Sequence, residues 1–184
     1  MLKIETLEIA GFASVLRALR LPFGKDCRSE TSFNLDITDN NFLLFKSGLH
    51  IDERDLKLMS TLVKRGEEHC KALRGLIVFA EISAPRYWWV EMDTYRIGSE
   101  RLSSESTMHV QGKGLSTEDL VKMKSELKEG TIQKRAQYFS YPTLRRIYFQ
   151  RRNHRLPMWH NFCKWIESLP YAHELIICDK EVQV

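Results

Sequence analysis

The chain has 184 residues, of which 43% are hydrophobic and 28% are charged, and its formal net charge is +4; this composition excludes a largely disordered chain. The four cysteines (27, 70, 163 and 178) lack the CxxC spacing of zinc sites and redox motifs, so we expect free thiols in a reducing compartment. No apolar run approaches the ~20 residues of a membrane span, so we expect a cytoplasmic protein without a membrane partner, folded as a single domain over residues 1–184.

The first third of the chain predicts a strand, a helix and a loop. KIETLEI alternates apolar and polar residues, which predicts a strand over 2–9, and FASVLRALRL has helical spacing before Pro22. The polar residues 24–41 are typical of a loop, and FLLFKSGLHI (42–51) could form a short strand.

Stronger helix signals follow. DERDLKLMSTLVKRGEEHCKAL predicts an amphipathic helix that begins at Asp52 as the N-cap, and GLIVFAEI (75–82) predicts a buried strand. Ser83 could cap the next helix. The remaining predicted elements are a helix over 85–96, a long mobile loop over 98–115, a helix over 116–130 capped by Ser116, and two helices over 143–153 and 157–169.

Arg96 is the first candidate ligand-binding residue. If the helix extends over 85–96, Trp88, Met92, Tyr95 and Arg96 lie near one stripe, which places the guanidinium beside a buried face. A cation there is costly unless it is paired or meets an anion. An ion pair with Glu91 or Asp93 and contact with a ligand anion are both open.

A second candidate is the basic run at 145–155, which contains five arginines and His154 with almost no acidic residue. It indicates either an anion-binding surface or a solvated helix face.

The stretch from about residue 56 to 110 resembles the core of the flavin-dependent thymidylate synthases. That family has His-x-x-Pro-Phe-Glu-His, a strand, a helix with a Gln, and then Arg-His-Arg-x-x-Ser-x-Asn-Glu-x-Ser-x-Arg. Laid on this chain, the first His falls on His69, the Gln on Glu91, Arg-His-Arg on 94–96 and the motif Ser on Ser99. The later stretches also resemble the family, and DTYRIGSE and YFQRRNHRLP resemble a divergent phage and prophage branch of it.

The resemblance implies an α+β fold, rich in helices with a small, mainly antiparallel sheet. It implies FAD as cofactor, a pyrimidine nucleotide as substrate or ligand, and a homotetramer with sites between subunits. The implied cofactor-binding residues are His69, Glu91, Tyr95, Arg96 and Ser99. The implied catalytic residues are Ser104, Glu105 and Ser106, and the candidate substrate-binding residues are Arg86, Arg151, Arg152 and Arg155.

Several of these residues also have purely structural interpretations. His69 could simply end a helix, Glu91 could form a salt bridge, and the serine cluster could be a solvated loop. Tyr95 and the tryptophans 88, 89 and 159 could all be core residues.

The chain departs from the family pattern where cations are expected. Thr94 and Tyr95 replace Arg-His, Met108 replaces the distal Arg, and Gly75 replaces the second His. Each lost charge-assisted hydrogen bond is worth ~1.5–3 kcal/mol. Either the basic run replaces these donors, or the ligand differs, or activity is lost. Two functions are therefore expected: a divergent thymidylate synthase-like enzyme, or a non-catalytic protein of that fold that binds a nucleotide or a nucleic acid.

Overall fold

A four-stranded antiparallel sheet is the centre of the computed structural model, which describes residues 1–23, 32–33, 36–37, 43–44 and 49–179. Its strands are β1 (Lys3–Ala10), β2 (Ile77–Pro85), β3 (Ser99–Ser104) and β4 (Ile132–Ser140), in the spatial order β1-β2-β4-β3. Short antiparallel pairs join Ser32–Phe33 to Leu49–His50 and Asp36–Ile37 to Leu43–Leu44. Most of the loop predicted at 24–41 and half of the strand predicted at 42–51 lie outside the described residues.

Eight α-helices lie in the described ranges of the chain. They are α1 (Phe12–Arg20), α2 (Glu53–Arg65), α3 (Arg86–Met92), α4 (Thr107–Val110), α5 (Thr117–Ser125), α6 (Tyr141–Arg151), α7 (Pro157–Glu167) and α8 (Ala172–Leu175). The predicted helix-rich α+β class with a small antiparallel sheet is confirmed. None of the helices in the described ranges is long and apolar enough to span a bilayer.

The core forms where the sheet meets α3 and α7. In β2, Val78, Ala80 and Ile82 are fully buried while the alternate residues are half-buried, so one face of the strand packs on the helices. Trp88 of α3 stacks on Trp159 of α7 with ring centroids 4.8 Å apart. The tryptophans are thus core residues, as one interpretation of the sequence proposed.

Two segments differ from the sequence predictions. The predicted loop at 98–115 contains β3 and α4, and residues 132–140, for which no element was predicted, form β4. Beyond Ser99, the side chains of β3 are exposed, so it lacks the alternation that marks a half-buried strand. The expected cap at Ser83 is also wrong, because β2 continues through Pro85 and α3 begins only after it.

Candidate functional site

A cavity of about 490 Å³ lies between the end of α3 and the β3–β4 edge of the sheet. Arg96 lines it from the α3–β3 connection, Ser99 and Arg101 from β3, and Gln137 from β4. Because Arg101 pairs with Gln137 in the β3–β4 ladder, their side chains are neighbours on one face of the sheet.

The Arg96 guanidinium does not form either of the internal ion pairs considered from the sequence. Its Nε donates to the Asp93 carbonyl oxygen at 3.3 Å, whereas the Asp93 carboxylate accepts from Arg135 at 2.7 Å. Arg101 is exposed and makes no ion pair or hydrogen bond through its side chain within the described part of the chain. Two guanidinium groups without an ion pair therefore share this cavity with two carboxylates, those of Asp93, which is paired with Arg135, and Glu100.

The backbone turn that carries Arg96 is held by the start of α6. The Ser140 amide donates to the Gly98 carbonyl at 2.7 Å, and the Thr143 hydroxyl donates to the Ile97 carbonyl at 2.7 Å. Arg146 donates to the same Ile97 carbonyl at 3.0 Å. These three hydrogen bonds fix the direction in which the chain leaves α3 and enters β3. One of the three donors, Arg146, belongs to the basic run.

Ser99 and Gln137 form a buried polar pair at the cavity wall. The Ser99 hydroxyl donates to the Tyr95 carbonyl at 2.8 Å and accepts from Nε2 of Gln137 at 3.0 Å. Gln137 is only 4% exposed, and its Oε1 has no hydrogen-bond partner among the described residues. Ser99 thus lies where the sequence placed a cofactor-binding residue, with its hydroxyl already bonded within the chain.

Glu91 and Tyr95 belong to a second network that joins α3 to the C-terminal helices. Arg151 donates from Nη1 to Glu91 and from Nε to the Tyr95 hydroxyl, both at 2.7 Å. Trp159 donates from Nε1 to the same Glu91 oxygen at 2.8 Å. His154 accepts from the Leu156 amide at Nδ1, so in its neutral form the proton is on Nε2, which lies 3.5 Å from that Glu91 oxygen. Glu91 therefore forms a salt bridge, as one interpretation of the sequence proposed.

The other arginines of the basic run either form hydrogen bonds within the fold or are exposed to solvent. Arg145 donates to the Ile176 carbonyl at 2.6 Å and lies over Phe149, with the guanidinium carbon 4.8 Å from the ring centroid. Arg152 and Arg155 are exposed beyond the end of α6, while Arg86 is half-buried at the start of α3. The four candidate substrate-binding arginines therefore do not converge on the Arg96 cavity, and their substrate role stays a prediction.

The candidate catalytic residues lie at the opposite end of β3. Ser104 is five residues from Ser99, which corresponds to roughly 16 Å along a strand. Glu105 accepts from the Lys134 amide at 3.3 Å, and the Lys134 side chain has a raised pKa because it donates to Glu81. Ser106 precedes α4 without capping it through its side chain. One protomer therefore does not bring these three residues to Arg96, and their catalytic role stays a prediction.

His69 lies in the turn after α2, exposed and outside the set of residues that line the cavity. Because α2 ends at Arg65, His69 does not occupy the helix C-terminus that one interpretation assigned to it. Its role toward a cofactor stays a prediction.

Sequence reasoning missed Arg101 and Gln137. The signal that would have found them is strand pairing, because positions 99 and 101 share a face only once β3 is recognised as a strand.

No protein-family model and no curated protein sequence matches this chain significantly. Its fold, however, is that of the flavin-dependent thymidylate synthases and of a nucleotide methylase related to them in structure. Thymidylate synthase X from Helicobacter pylori, in a structure with FAD and dUMP, has a TM-score of 0.67 at 13% identity, over 96% of this chain and 98% of that one.

A second structure of the Helicobacter pylori enzyme, also with FAD and dUMP, gives a TM-score of 0.66 at 15% identity over 97% of this chain and 100% of that one. The UMP/dUMP methylase PolB from Streptomyces cacaoi, bound to 5-Br dUMP, gives a TM-score of 0.62 at 14% identity over 100% of this chain and 98% of that one. The similarity thus spans whole chains at low identity.

Proposed function

We propose that this protein binds a pyrimidine nucleotide in the Arg96 cavity, as a divergent protein of the flavin-dependent thymidylate synthase type. The observation that carries the proposal is the pair of guanidinium groups of Arg96 and Arg101, which face one cavity without a carboxylate partner in the described chain. A phosphate is the common anion that such a pair recognises. The cavity volume of about 490 Å³ lies within the range of ~300–1,000 Å³ that small-molecule sites occupy.

A second cavity is a poorer candidate for a phosphate ligand. It has a volume of about 290 Å³ and lies between α2 and α6, where Val63, Leu73 and Phe149 make its wall largely apolar. Its arginines, Arg145 and Arg146, are already bonded to backbone carbonyl groups. We therefore assign the nucleotide to the larger cavity.

FAD is the cofactor in the two thymidylate synthase structures, and the residues present here suit a flavin in part of the same cavity. Arg96 and Arg101, which both line the cavity, would contact its phosphate groups. When bound, a flavin supplies hydride transfer. The contribution of this chain is to hold the anion and to orient the base.

Catalysis on the nucleotide would require Ser104, Glu105 and Ser106 to reach a ligand held by Arg96. Because they lie at the other end of β3, we infer that they would act in the site of a neighbouring protomer, which is consistent with a homo-oligomer such as a tetramer. If no such assembly forms, the cavity serves a binding protein without this chemistry.

The test is titration of the purified protein with dUMP and, separately, with FAD, followed by calorimetry or flavin fluorescence. Arg96→Ala should weaken dUMP binding about ten- to a hundredfold, the equivalent of one charge-assisted hydrogen bond. Arg54→Ala removes an exposed arginine of α2 far along the chain from the cavity and should leave affinity unchanged. Equal affinities of wild type and Arg96→Ala would refute the proposed site.

Nucleic acid is a second candidate ligand, because Arg152 and Arg155 are exposed together after α6 and form no ion pair within the described residues. Binding there should weaken steeply with salt, with a slope that falls by ~1 for each arginine removed. An affinity for a short DNA duplex that does not change with salt would exclude it.

A further inference from the structure

The turn that presents Arg96 to the cavity is held at the backbone carbonyl group of the next residue, Ile97. The Ile97 side chain is 77% exposed, so apolar packing does not fix this turn. Its carbonyl oxygen accepts two hydrogen bonds from α6, one from the Thr143 hydroxyl at 2.7 Å and one from Nη2 of Arg146 at 3.0 Å. A carbonyl oxygen has two lone pairs, so these two donors satisfy it. Helix α6 therefore orients the peptide group beside the candidate phosphate-binding cation.

Arg96 itself has few other contacts that would fix its direction. Its side chain is exposed, and its one hydrogen bond within the described residues runs from Nε to the Asp93 carbonyl at 3.3 Å, near the upper limit for such a bond. Helix α3 ends at Met92, so helical packing does not extend to position 96. The direction of the Arg96 guanidinium consequently depends on the turn that follows it.

The two donors on α6 differ in what else they hold. Thr143 is only 3% exposed, and its hydroxyl also lies 3.0 Å from the Ser140 hydroxyl, so it belongs to the interior of the fold. Arg146 is half-buried and forms no ion pair within the described residues, where its guanidinium bonds only to the Ile97 carbonyl. Arg146 can therefore be replaced with less damage to the core than Thr143.

We propose that Arg146 is a positioning residue for the Arg96 cavity: it binds the Ile97 carbonyl and so directs Arg96 toward the ligand phosphate. This deepens the nucleotide-binding function proposed above and rests on it. Arg146 is outside the set of residues that line this cavity, so its effect reaches the ligand through Arg96 and not by contact. The basic run thereby contributes to anion binding without supplying a ligand contact at this site.

The experiment is a double-variant cycle in which dUMP affinity is measured by calorimetry for wild type, Arg146→Met, Arg96→Ala and the double variant. Arg146→Met should weaken dUMP binding about three- to thirtyfold, the range expected for two coupled residues. In the Arg96→Ala background the same replacement should change affinity by less than about twofold, because the residue that Arg146 positions is gone. Equal losses in both backgrounds would mean that Arg146 acts independently of Arg96, through its charge or by contact, and would overturn the proposal.

Two further variants separate this bond from charge and from folding. Arg146→Lys keeps a charged donor and should recover most of the affinity, whereas a loss as large as that of Arg146→Met overturns the role assigned to the bond. Arg54→Met removes the same charge from an exposed position of α2 and should bind dUMP as wild type does; a matching loss there overturns the proposal as well. If Arg146→Met does not fold, Arg146→Gln takes its place in the cycle.

The two proposals fail differently. Weaker dUMP binding in Arg96→Ala together with normal binding in Arg146→Met overturns only the role of Arg146. Absence of dUMP binding by the wild type at millimolar concentration overturns that role and the proposed function together. A lower melting temperature of Arg146→Met with unchanged dUMP affinity shows that the residue is merely structural, which also overturns the positioning role.

Discussion

Replacing Glu91 by Gln, the residue that the flavin-dependent thymidylate synthases have at the aligned position, should destabilise this protein. The Glu91 carboxylate accepts from Arg151 at 2.7 Å and from Trp159 at 2.8 Å, both at the same oxygen. The amide oxygen of Gln can still accept from both donors, but the neutral group leaves the Arg151 guanidinium, whose side chain is 17% exposed, without its counter-charge. Hydrogen bonds to charged groups contribute ~1.5–3 kcal/mol, and partial exposure of both side chains lowers the effect, so we expect a loss of about 2 kcal/mol.

That loss corresponds to a fall in melting temperature of about 4–8 °C for a chain of this size. The assay is thermal unfolding followed by circular dichroism, with the free energy taken from urea titrations of the same variants. Arg151→Met and the double variant complete a cycle, in which the two single losses should exceed the double loss by at least ~1 kcal/mol. Glu126→Gln, on an exposed position after α5, is the matched control and should melt with the wild type. A melting temperature of Glu91→Gln within a degree of wild type, or additive losses in the cycle, would show that the network does not stabilise the fold.

Two further predictions concern the turn at the cavity and a buried thiol. Gly98→Ala should cost more than 1 kcal/mol and weaken dUMP binding, because the residue has φ +73° and an added Cβ would lie 2.5 Å from the hydroxyl oxygens of both Ser140 and Thr143. Gly114 also has a positive φ, +84°, but an added Cβ there would meet no atom within 4 Å. The free energy of unfolding, measured in urea, should therefore fall distinctly less in Gly114→Ala than in Gly98→Ala. Equal falls would mean that the contacts with Ser140 and Thr143 are unimportant. Burial raises the pKa of the Cys163 thiol to about 11. Since the thiolate is the reactive form, its alkylation in the folded protein should be slow at pH 8 and should accelerate as the pH approaches 11, as mass spectrometry can measure; rapid labelling at pH 8 would contradict this environment.

The helix starts were predictable from local signals. The Asp52 side chain accepts from the Arg54 amide at 3.0 Å, and the Ser116 hydroxyl accepts from the Asp119 amide at 3.1 Å, as the sequence indicated. Such caps depend only on residues within one turn, so no knowledge of distant contacts was required.

Strand β4 could not be predicted in the same way, because two of the buried residues on its inner face, Arg135 and Gln137, are polar. Arg135 and Gln137 alternate with half-buried residues, and the hydrophobic period of two is therefore absent. Arg135 tolerates burial because it pairs with Asp93 and lies 4.4 Å from the Trp89 ring centroid. These partners come from α3, some forty residues away, and only the folded chain reveals them.

Charge drew attention to Arg96 in the sequence, whereas strand pairing, which brings Arg101 and Gln137 to the same cavity, was not predicted. Arg96 was singled out on the premise that a helix extends to position 96 along a buried face, whereas α3 ends at Met92 and Arg96 is exposed. It nevertheless lines a cavity without an acidic partner in the described chain. Arg101 lies in the segment that was predicted to be a mobile loop, where nothing in the sequence distinguishes a fixed guanidinium from a solvated one. Its position became meaningful only through the β3–β4 register.

The departures from the family pattern at positions 91 and 95 form one structural unit. A carboxylate at position 91 in place of a neutral amide requires a nearby cation, and Arg151 meets that requirement. The same guanidinium donates its Nε–H to the Tyr95 hydroxyl, the group that stands where the family has a His, and it lies 4.5 Å from the Trp159 ring centroid. The positive charge of Arg151 is thus held within the scaffold. Any phosphate bound near the end of α3 consequently depends on Arg96 and Arg101, which is why variants at these two positions should affect ligand binding while variants of the network affect stability.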